Sequence, residues 1–343
     1  MIEITGLENT EKWDAIVRSF KNYDVFYLSS YVKAFAKEEK VTPLLFYYEE
    51  NGKRLINVVM KRDIAEDEHF KGKIETGRYF DLITPYGYGG FLSEDGFPDN
   101  LYDKYEKFCR DNGFICEFVR FELFTGYEKY YGGEIECRTH NVVRDLQISI
   151  DDMFMDFEHK VRKNIKKAVR NELNILVEQN TEHIDDFLNI YYGTMKRSEA
   201  EKKFYFSKEF FETLGQMKDN VVFFYVIYKD KIIAAELVIY GSENAYSYLG
   251  GTDNNYFELR PNDFLKSEAI KWLKEKGLKN FVLGGGYGVD DGIFRYKKSF
   301  APDGIVDFHI GRKIFDEATY QKLVGMRGKE FDKESKFFPL YRS

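Results

Sequence analysis

The apolar positions along the chain change period in an order that occurs twice. Residues 44–62, LLFYYEENGKRLINVVMKR, are two β-rich runs around a polar stretch, Glu50-Asn51-Gly52-Lys53. Residues 222–240, VFFYVIYKDKIIAAELVIY, repeat this around Lys229-Asp230-Lys231. Asn-Gly tolerates positive φ at both central turn positions, so these stretches predict β-hairpins. Each is followed by aromatic residues leading into paired glycines, Tyr88-Gly89-Gly90 and Tyr248-Leu249-Gly250-Gly251. The spacing then becomes helical, through Leu101, Tyr105 and Phe108 in the first half and Phe264, Leu265, Ala269 and Leu273 in the second. Gly113 and Gly277 stand where such helices end. A β-rich run closes each set, residues 114–119 and 280–283. Hairpin, glycine pair, helix and strand in the same order predict a duplicated α/β fold with mixed sheets.

A second feature lies between the halves. Phe157, Val161, Ile165 and Ala168 or Val169 form an apolar helical stripe, and Lys160, Arg162, Lys163, Lys166, Lys167 and Arg170 surround it. The whole chain carries a net charge of -7, which argues against a chain-wide nucleic-acid footprint. Any RNA contact is therefore expected to be local. Lys160, Lys163, Lys166 and Lys167 are the expected anchors for phosphates of tRNA, coenzyme A, a nucleotide sugar or a lipid carrier.

Composition narrows the chemistry by exclusion. Hydrophobic residues make up 43% of the 343, enough for packed cores, and 26 tyrosines suit polar grooves. Cys109, Cys116 and Cys137 form no close pair, and the histidines follow no metal-ligand spacing, so neither a disulfide framework nor a metal centre is expected. The polar N-terminus does not read as a signal peptide, and no stretch reaches membrane-spanning length. Cytoplasm is the expected location, with peripheral membrane contact open. Phosphate-loop, dinucleotide-loop and nucleophile-elbow motifs are absent.

Residues 246–300 carry the most specific pattern. Tyr246-x-Tyr248-x-Gly250-x-x-Asp253 is followed by Arg260-Pro261-Asn262 before a helix. A strand then ends at Leu283-Gly284-Gly285, and Tyr296-Lys297 comes next. This order resembles the Fem family of nonribosomal aminoacyl-transferases, the peptidoglycan bridge-forming enzymes with two acetyltransferase-like (GNAT) domains in tandem. Tyr191, Thr194-Met195 and the basic helix from Lys160 to Ala168 also fit. The resemblance is strong over residues 157–315 and weaker over 1–150.

It implies one GNAT-like domain of residues 1–150 plus 309–343 and a second of residues 151–308. It implies transfer of an aminoacyl group from aminoacyl-tRNA to an amine of a cell-wall precursor, with no tightly bound cofactor. Lys297 falls on the lysine expected to stabilise the oxyanion formed when the amine attacks the ester. Tyr248 falls on a tyrosine of the substrate channel. Lys33, Tyr86, Tyr88, Tyr246, Arg197, Asn262, Gly284, Gly285, Gly286 and Arg295 complete the expected substrate-binding set. Where a member with a nucleotide-linked acceptor has Arg and Tyr, this chain has Phe206 and Phe210, which argues against such an acceptor. Asp290, Asp291 and Glu236 are the carboxylates considered as a base.

Two donors compete. Coenzyme A binding by this domain type uses a glycine-containing loop at a helix N-terminus. Here that start reads Glu258-Leu259-Arg260-Pro261-Asn262-Asp263, with no glycine, a proline lacking N–H, and a carboxylate facing any anion. The helix start at Gly96-Phe97-Pro98-Asp99-Asn100 also has proline and aspartate. Aminoacyl-tRNA is thus the expected donor, and acyl-CoA, acting on a cell-envelope sugar or small amine, is the alternative. A binding protein on a degenerate GNAT fold is the non-enzymatic alternative. Asn262 or Asp263 is expected to cap the helix that starts at Pro261.

Overall fold

The computed structural model describes residues 2–286, 288, 291–328, 332 and 335–343. Its strands in chain order are β1 (Ile2–Gly6), β2 (Thr42–Glu50), β3 (Lys53–Asp63), β4 (Phe80–Ile83), β5 (Leu92–Ser93), β6 (Phe114–Arg120), β7 (Glu134–Asp145), β8 (Asn174–Glu178), β9 (Val221–Tyr228), β10 (Lys231–Tyr240), β11 (Asn244–Thr252), β12 (Asn280–Gly284) and β13 (Ile305–Ile314). Its α-helices are α1 (Thr10–Arg18), α2 (Ser29–Glu39), α3 (Leu101–Asp111), α4 (Ile150–Asp156), α5 (His159–Arg170), α6 (Ile184–Arg197), α7 (Lys208–Gly215), α8 (Pro261–Glu275), α9 (Gly292–Lys298) and α10 (Glu317–Met326). Among the described residues, no helix is long and apolar enough to cross a membrane.

The chain divides into two compact units, residues 1–138 with 307–343, and residues 139–306. Both divisions fall inside continuous strands, β7 and β13. They therefore differ from the junctions at 150/151 and 308/309 expected from sequence.

The two units share one spatial strand arrangement. In unit 1 the order is β1-β2-β3-β4-β6-β13, with β5 on β3. Every neighbouring pair is antiparallel except β4 with β6, which is parallel. In unit 2 the order is β8-β9-β10-β11-β12-β7, and only β11 with β12 is parallel. This is the mixed-sheet α/β class expected.

Local chemistry explains the shared elements. Both hairpin turns hold two residues at positive φ: Asn51 and Gly52, then Lys229 and Asp230. That geometry matches the twist of the flanking strands. Gly113 and Gly277, just past α3 and α8, also have positive φ, the usual way a helix is stopped.

Two sequence expectations fail at helix starts and faces. The first concerns α8, whose cap is neither Asn262 nor Asp263. The chain enters through Arg260 in the left-handed region, φ 64°, and Pro261 occupies the first helical position, where no N–H is needed. The second concerns α5, where Ala168 is buried but Val169 is 58% exposed, so the stripe is Phe157, Val161, Ile165 and Ala168. These side chains join Phe264, Leu265, Ala269 and Leu273 of α8 in the unit 2 core. Full burial of such a side chain contributes about 1.5–3 kcal/mol.

Unit 1 has its own core, through Phe46, Leu55, Leu101, Tyr105, Phe114 and Phe315. A further cluster includes Ile64, Phe70, Ile115, Tyr320, Leu323 and Tyr341. The chain end is also tied by charge. Arg342 Nε donates to Asp81 at 2.7 Å, Tyr341 Oη donates to the same oxygen at 2.8 Å, and Arg62 Nε donates to the other at 2.5 Å. Asp81 is fully buried.

Candidate functional site

The site in unit 2 begins where two parallel strands part. β11 pairs with β12 only over Asn244–Tyr246 and Asn280–Val282, whereas β11 runs on along β10 to Thr252. Both strands are irregular here. Leu237 opposes Leu249 while Val238 opposes Ser247, so Tyr248 is an extra residue on β11. Val282 opposes Val143 while Gly284 opposes Val142, so Leu283 is the extra residue on β12. Such bulges redirect side chains and end pairing.

Lys297, on α9, occupies the end of β12. Its Nζ donates to the Gly285 carbonyl at 2.6 Å. Gly284 has φ +86°, and a Cβ there would lie 3.1 Å from that ammonium. A Cβ on Gly285 would lie 2.8 Å from the His140 carbonyl oxygen. The glycines thus let backbone pass closely on both sides. Burial lowers the Lys297 pKa to about 8, helped by the positive charge of Lys266 and opposed by Glu236 and Asp291. Lys297 is half-buried, not fully exposed to solvent.

The carboxylates considered as a base have other tasks. Glu236 is buried; its Oε1 accepts from Lys266 Nζ and, at 2.5 Å, from Ser247 Oγ. Asp291 caps α9, accepting from Phe294 N at 2.8 Å and Gly288 N at 3.1 Å. Asp290 lies outside the described residues. The Lys266–Glu236–Ser247 network was not read from sequence. Its only signal was a charged residue on the buried stripe of α8.

A cavity of about 790 Å³ opens at the start of α8, lined by Tyr296 and Lys298 on either side of Lys297 in the chain but not by Lys297 itself. Lys160, Arg260, Arg295 and Lys298 bring positive charge to its walls, against Glu158 and Asp263. Tyr296, Asn262 and Asn164 also line it. Burial raises the Asp263 pKa, although Asn164 donates to its carboxylate at 3.3 Å and Arg260 and Lys160 favour its charge. The Tyr296 hydroxyl is buried with no hydrogen-bond partner among the described residues and is pushed above the usual tyrosine range by burial. Arg260 holds a left-handed backbone without being glycine, a conformation that costs on the order of 1 kcal/mol and clusters at functional sites. Asn262 accepts from Thr252 Oγ1, which ties the start of α8 to the end of β11.

The other expected residues are distributed. Tyr246 is buried and Tyr248 half-buried on β11. Gly286 turns beside Asp291, and a Cβ there would lie 2.4 Å from its carboxylate. Arg197 lines a separate cavity of about 320 Å³ with Lys231 and Asp253, and its guanidinium donates to the Thr252 carbonyl at 3.2 Å. The basic helix splits by face. Lys160 lines the large cavity, Lys167 pairs with Glu258 at 3.8 Å, and Lys163 and Lys166 line a groove of about 640 Å³ with Phe154, Arg162 and Arg170. Phe206 stacks on Phe210 with ring centroids 4.3 Å apart.

Lys33, Tyr86 and Tyr88 belong to unit 1. Lys33 is exposed on α2. Tyr86 is 39% exposed and stacks on Phe35, 5.6 Å between centroids, and its carbonyl accepts from Tyr31 Oη at 2.6 Å. Tyr88 stands edge-on to Phe26 and Phe308. Gly87, at φ +102°, could not carry a Cβ without meeting the Phe26 ring.

Residues 155–298 match the acetyltransferase (GNAT) domain family. Among solved structures, FemX is similar over 93% of this chain and 99% of its own, with TM-score 0.72 and 13% identity. The fold is Fem-like GNAT. The C-terminal domain of a putative lysylphosphatidylglycerol synthetase from Agrobacterium fabrum is also similar, with TM-score 0.55 and 14% identity over 91% of this chain and 92% of that one. So is a protein of unknown function from Bacteroides thetaiotaomicron, with TM-score 0.58 and 11% identity over 91% and 99%. No curated protein matches the chain. At these identities the structural likenesses speak for the fold, and the family match places a GNAT acetyltransferase domain in unit 2. The parted strands, the start of α8 and Lys297 all fall inside that domain or at its edge.

Proposed function

We propose that the protein moves an aminoacyl group from aminoacyl-tRNA to an amine of a cell-wall precursor. The observation that carries this reading is the cationic cavity at the start of α8, whose wall includes Tyr296 and Lys298, the chain neighbours of Lys297. Arg260, Arg295, Lys298 and Lys160 suit the phosphates of a tRNA acceptor end, and the groove along Lys163 and Lys166 suits its backbone. The similarity to FemX supports an acceptor in the cell wall.

In this mechanism the neutral amine attacks the ester carbonyl, a C–N bond forms, and the carbonyl oxygen takes the negative charge. The Lys297 ammonium, now bonded to the Gly285 carbonyl, turns to that oxyanion. Collapse breaks the ester C–O bond, and the nucleotide hydroxyl leaves with a proton. The half-buried setting strengthens the charge–charge term relative to water. Glu236 is engaged by Lys266, so it does not serve as the base. The amine proton goes to solvent or to the departing oxygen.

Acyl-CoA is the second reading, favoured by the family match to acetyltransferases. Against it, Pro261 removes an N–H from the helix start and Asp263 lines the cavity where a diphosphate would lie.

A donor screen separates them, with charged tRNAs and acyl-CoAs offered alongside cell-wall precursors. Turnover with charged tRNA alone is expected, and turnover with acyl-CoA alone overturns the donor assignment. Lys297→Ala should lower kcat roughly a hundredfold or more with little change in KM. Activity should also fall as pH rises through about 8, where Lys297 loses its proton. An unchanged kcat in the alanine variant would overturn the role of Lys297, and no turnover with any donor would leave a binding protein as the better description.

A further inference from the structure

Outside the transferase site, unit 1 gathers three unlike metal-binding side chains that are far apart in sequence. The ligand atoms of Cys137, Asp307 and His309 all lie within 4.8 Å of one another. We infer that Cys137, Asp307 and His309 form a binding site for a first-row transition metal, with Zn²⁺ as the ion it would take.

The platform is rigid. Asp307 and His309 are two apart on β13, so they project to the same side of the strand. Phe308, between them, packs edge-on against Tyr88, with ring centroids 5.4 Å apart, on the other side. The His309 carbonyl accepts from Phe121 N at 3.1 Å, which holds its backbone in place. Cys137 comes from β7, and Arg312 of β13 donates to Glu136 at 2.6 Å, locking the neighbouring stretch of β7 alongside. Three residues on two held strands need only small rotamer changes to reach the roughly 3.5 Å spacing of donors around one tetrahedral ion.

The donor set selects the metal. A thiolate and an imidazole disfavour Ca²⁺ and Mg²⁺, which prefer oxygen, and suit Zn²⁺ or Co²⁺. Three protein ligands leave a fourth position, and Cys137 and Asp307 are exposed, so water can take it. The sequence pointed away from metal because its ligand spacing was judged along the chain, whereas this group forms across two strands.

The test uses the full chain, stripped with chelator, and is read without any transferase assay. Calorimetric titration with Zn²⁺ alone should show one ion per chain. Co²⁺ alone should produce a thiolate-to-metal charge-transfer band in the near ultraviolet. Cys137→Ser should remove that band, and Cys137→Ser, Asp307→Asn and His309→Ala should each weaken Zn²⁺ roughly tenfold or more. Far-ultraviolet circular dichroism checks that each variant keeps the parent fold. Zn²⁺ affinity equal in Cys137→Ser and parent, or Co²⁺ binding without the band, overturns the site.

Discussion

Units 1 and 2 share a strand order but treat the same junction in opposite ways. In unit 2 the parallel pair β11–β12 parts after Tyr246 and Val282. In unit 1 the equivalent pair, β4–β6, runs from Phe80 to Ile83, and the chain then re-pairs at Gly89 with Phe121. Gly89 N donates to the Arg120 carbonyl at 2.7 Å, and Glu122 N donates to the Gly89 carbonyl at 2.9 Å. The glycine pairs, alike in sequence, serve these different ends. Gly250 sits inside β11, where a Cβ would lie 2.4 Å from the Ala235 carbonyl oxygen. Gly89 lies beyond the end of β4, in the bridge itself. Backbone left unpaired at a sheet junction is available to a substrate, whereas backbone re-paired there is not.

The polar interiors differ in the same sense. Unit 2 buries Lys266 with Glu236 and places cations around a cavity. Unit 1 buries carboxyls among tyrosines: Glu117 accepts from Tyr105 at 2.8 Å and Tyr102 at 3.2 Å. Burial raises the Glu117 pKa to about 7, and burial with the neighbouring charge of Asp24 raises Glu122 to about 8. One repeat has kept an open, cationic junction, and the other has become a closed, acidic, aromatic one.

If unit 1 is chiefly a scaffold, its largest sensitivity is in stability. Asp81→Ala would leave Arg342 and Arg62 without their shared partner and should cost about 3–5 kcal/mol, read by chemical denaturation. A loss below about 1 kcal/mol would show that the chain end is held by Tyr341 and its apolar neighbours instead.

The next contrast lies within unit 2. Lys160→Ala combined with Lys298→Ala removes charge from the large cavity and should raise KM for the donor about tenfold. Lys163→Ala with Lys166→Ala should act less strongly and chiefly at low salt, because those lysines are exposed along the helix. Equal effects from both pairs would mean that the basic helix binds as one surface.

A further contrast is in pH dependence. Glu117 and Glu122 stay protonated in the folded chain at a pH where the unfolded chain ionises them. The folded state then holds more protons, so their stabilisation is complete below about pH 4.5 and is lost as pH rises through about 7 and 8. The thermal midpoint should fall between about pH 5 and pH 8, and Glu117→Gln should flatten part of that decline. A midpoint that rises over this range would exclude the raised carboxyls as its cause.

Much of the fold was legible in the chain. The hairpins followed from turn residues that accept positive φ, and the α3 and α8 ends from Gly113 and Gly277. Those features depend on neighbours in sequence, so a linear reading reaches them. The helix start at Pro261 was legible in part: proline marked the first turn, but the left-handed Arg260 before it was not visible. The six cations of α5 read as one cluster, yet helical geometry sends Lys160 to one cavity and Lys163 and Lys166 to another groove.

By itself the sequence determined the repeated order of elements, the two hairpins and the residue types available for transfer, because each rests on local conformational preference and periodicity. The tertiary structure alone decided that Lys297 meets the Gly285 carbonyl, that Lys266 occupies Glu236, that one sheet junction closes at Gly89, and that Cys137 comes within 4.8 Å of His309. Those pairings join residues that are not neighbours in sequence. Strand register and helix packing set them, and neither is written in any single segment.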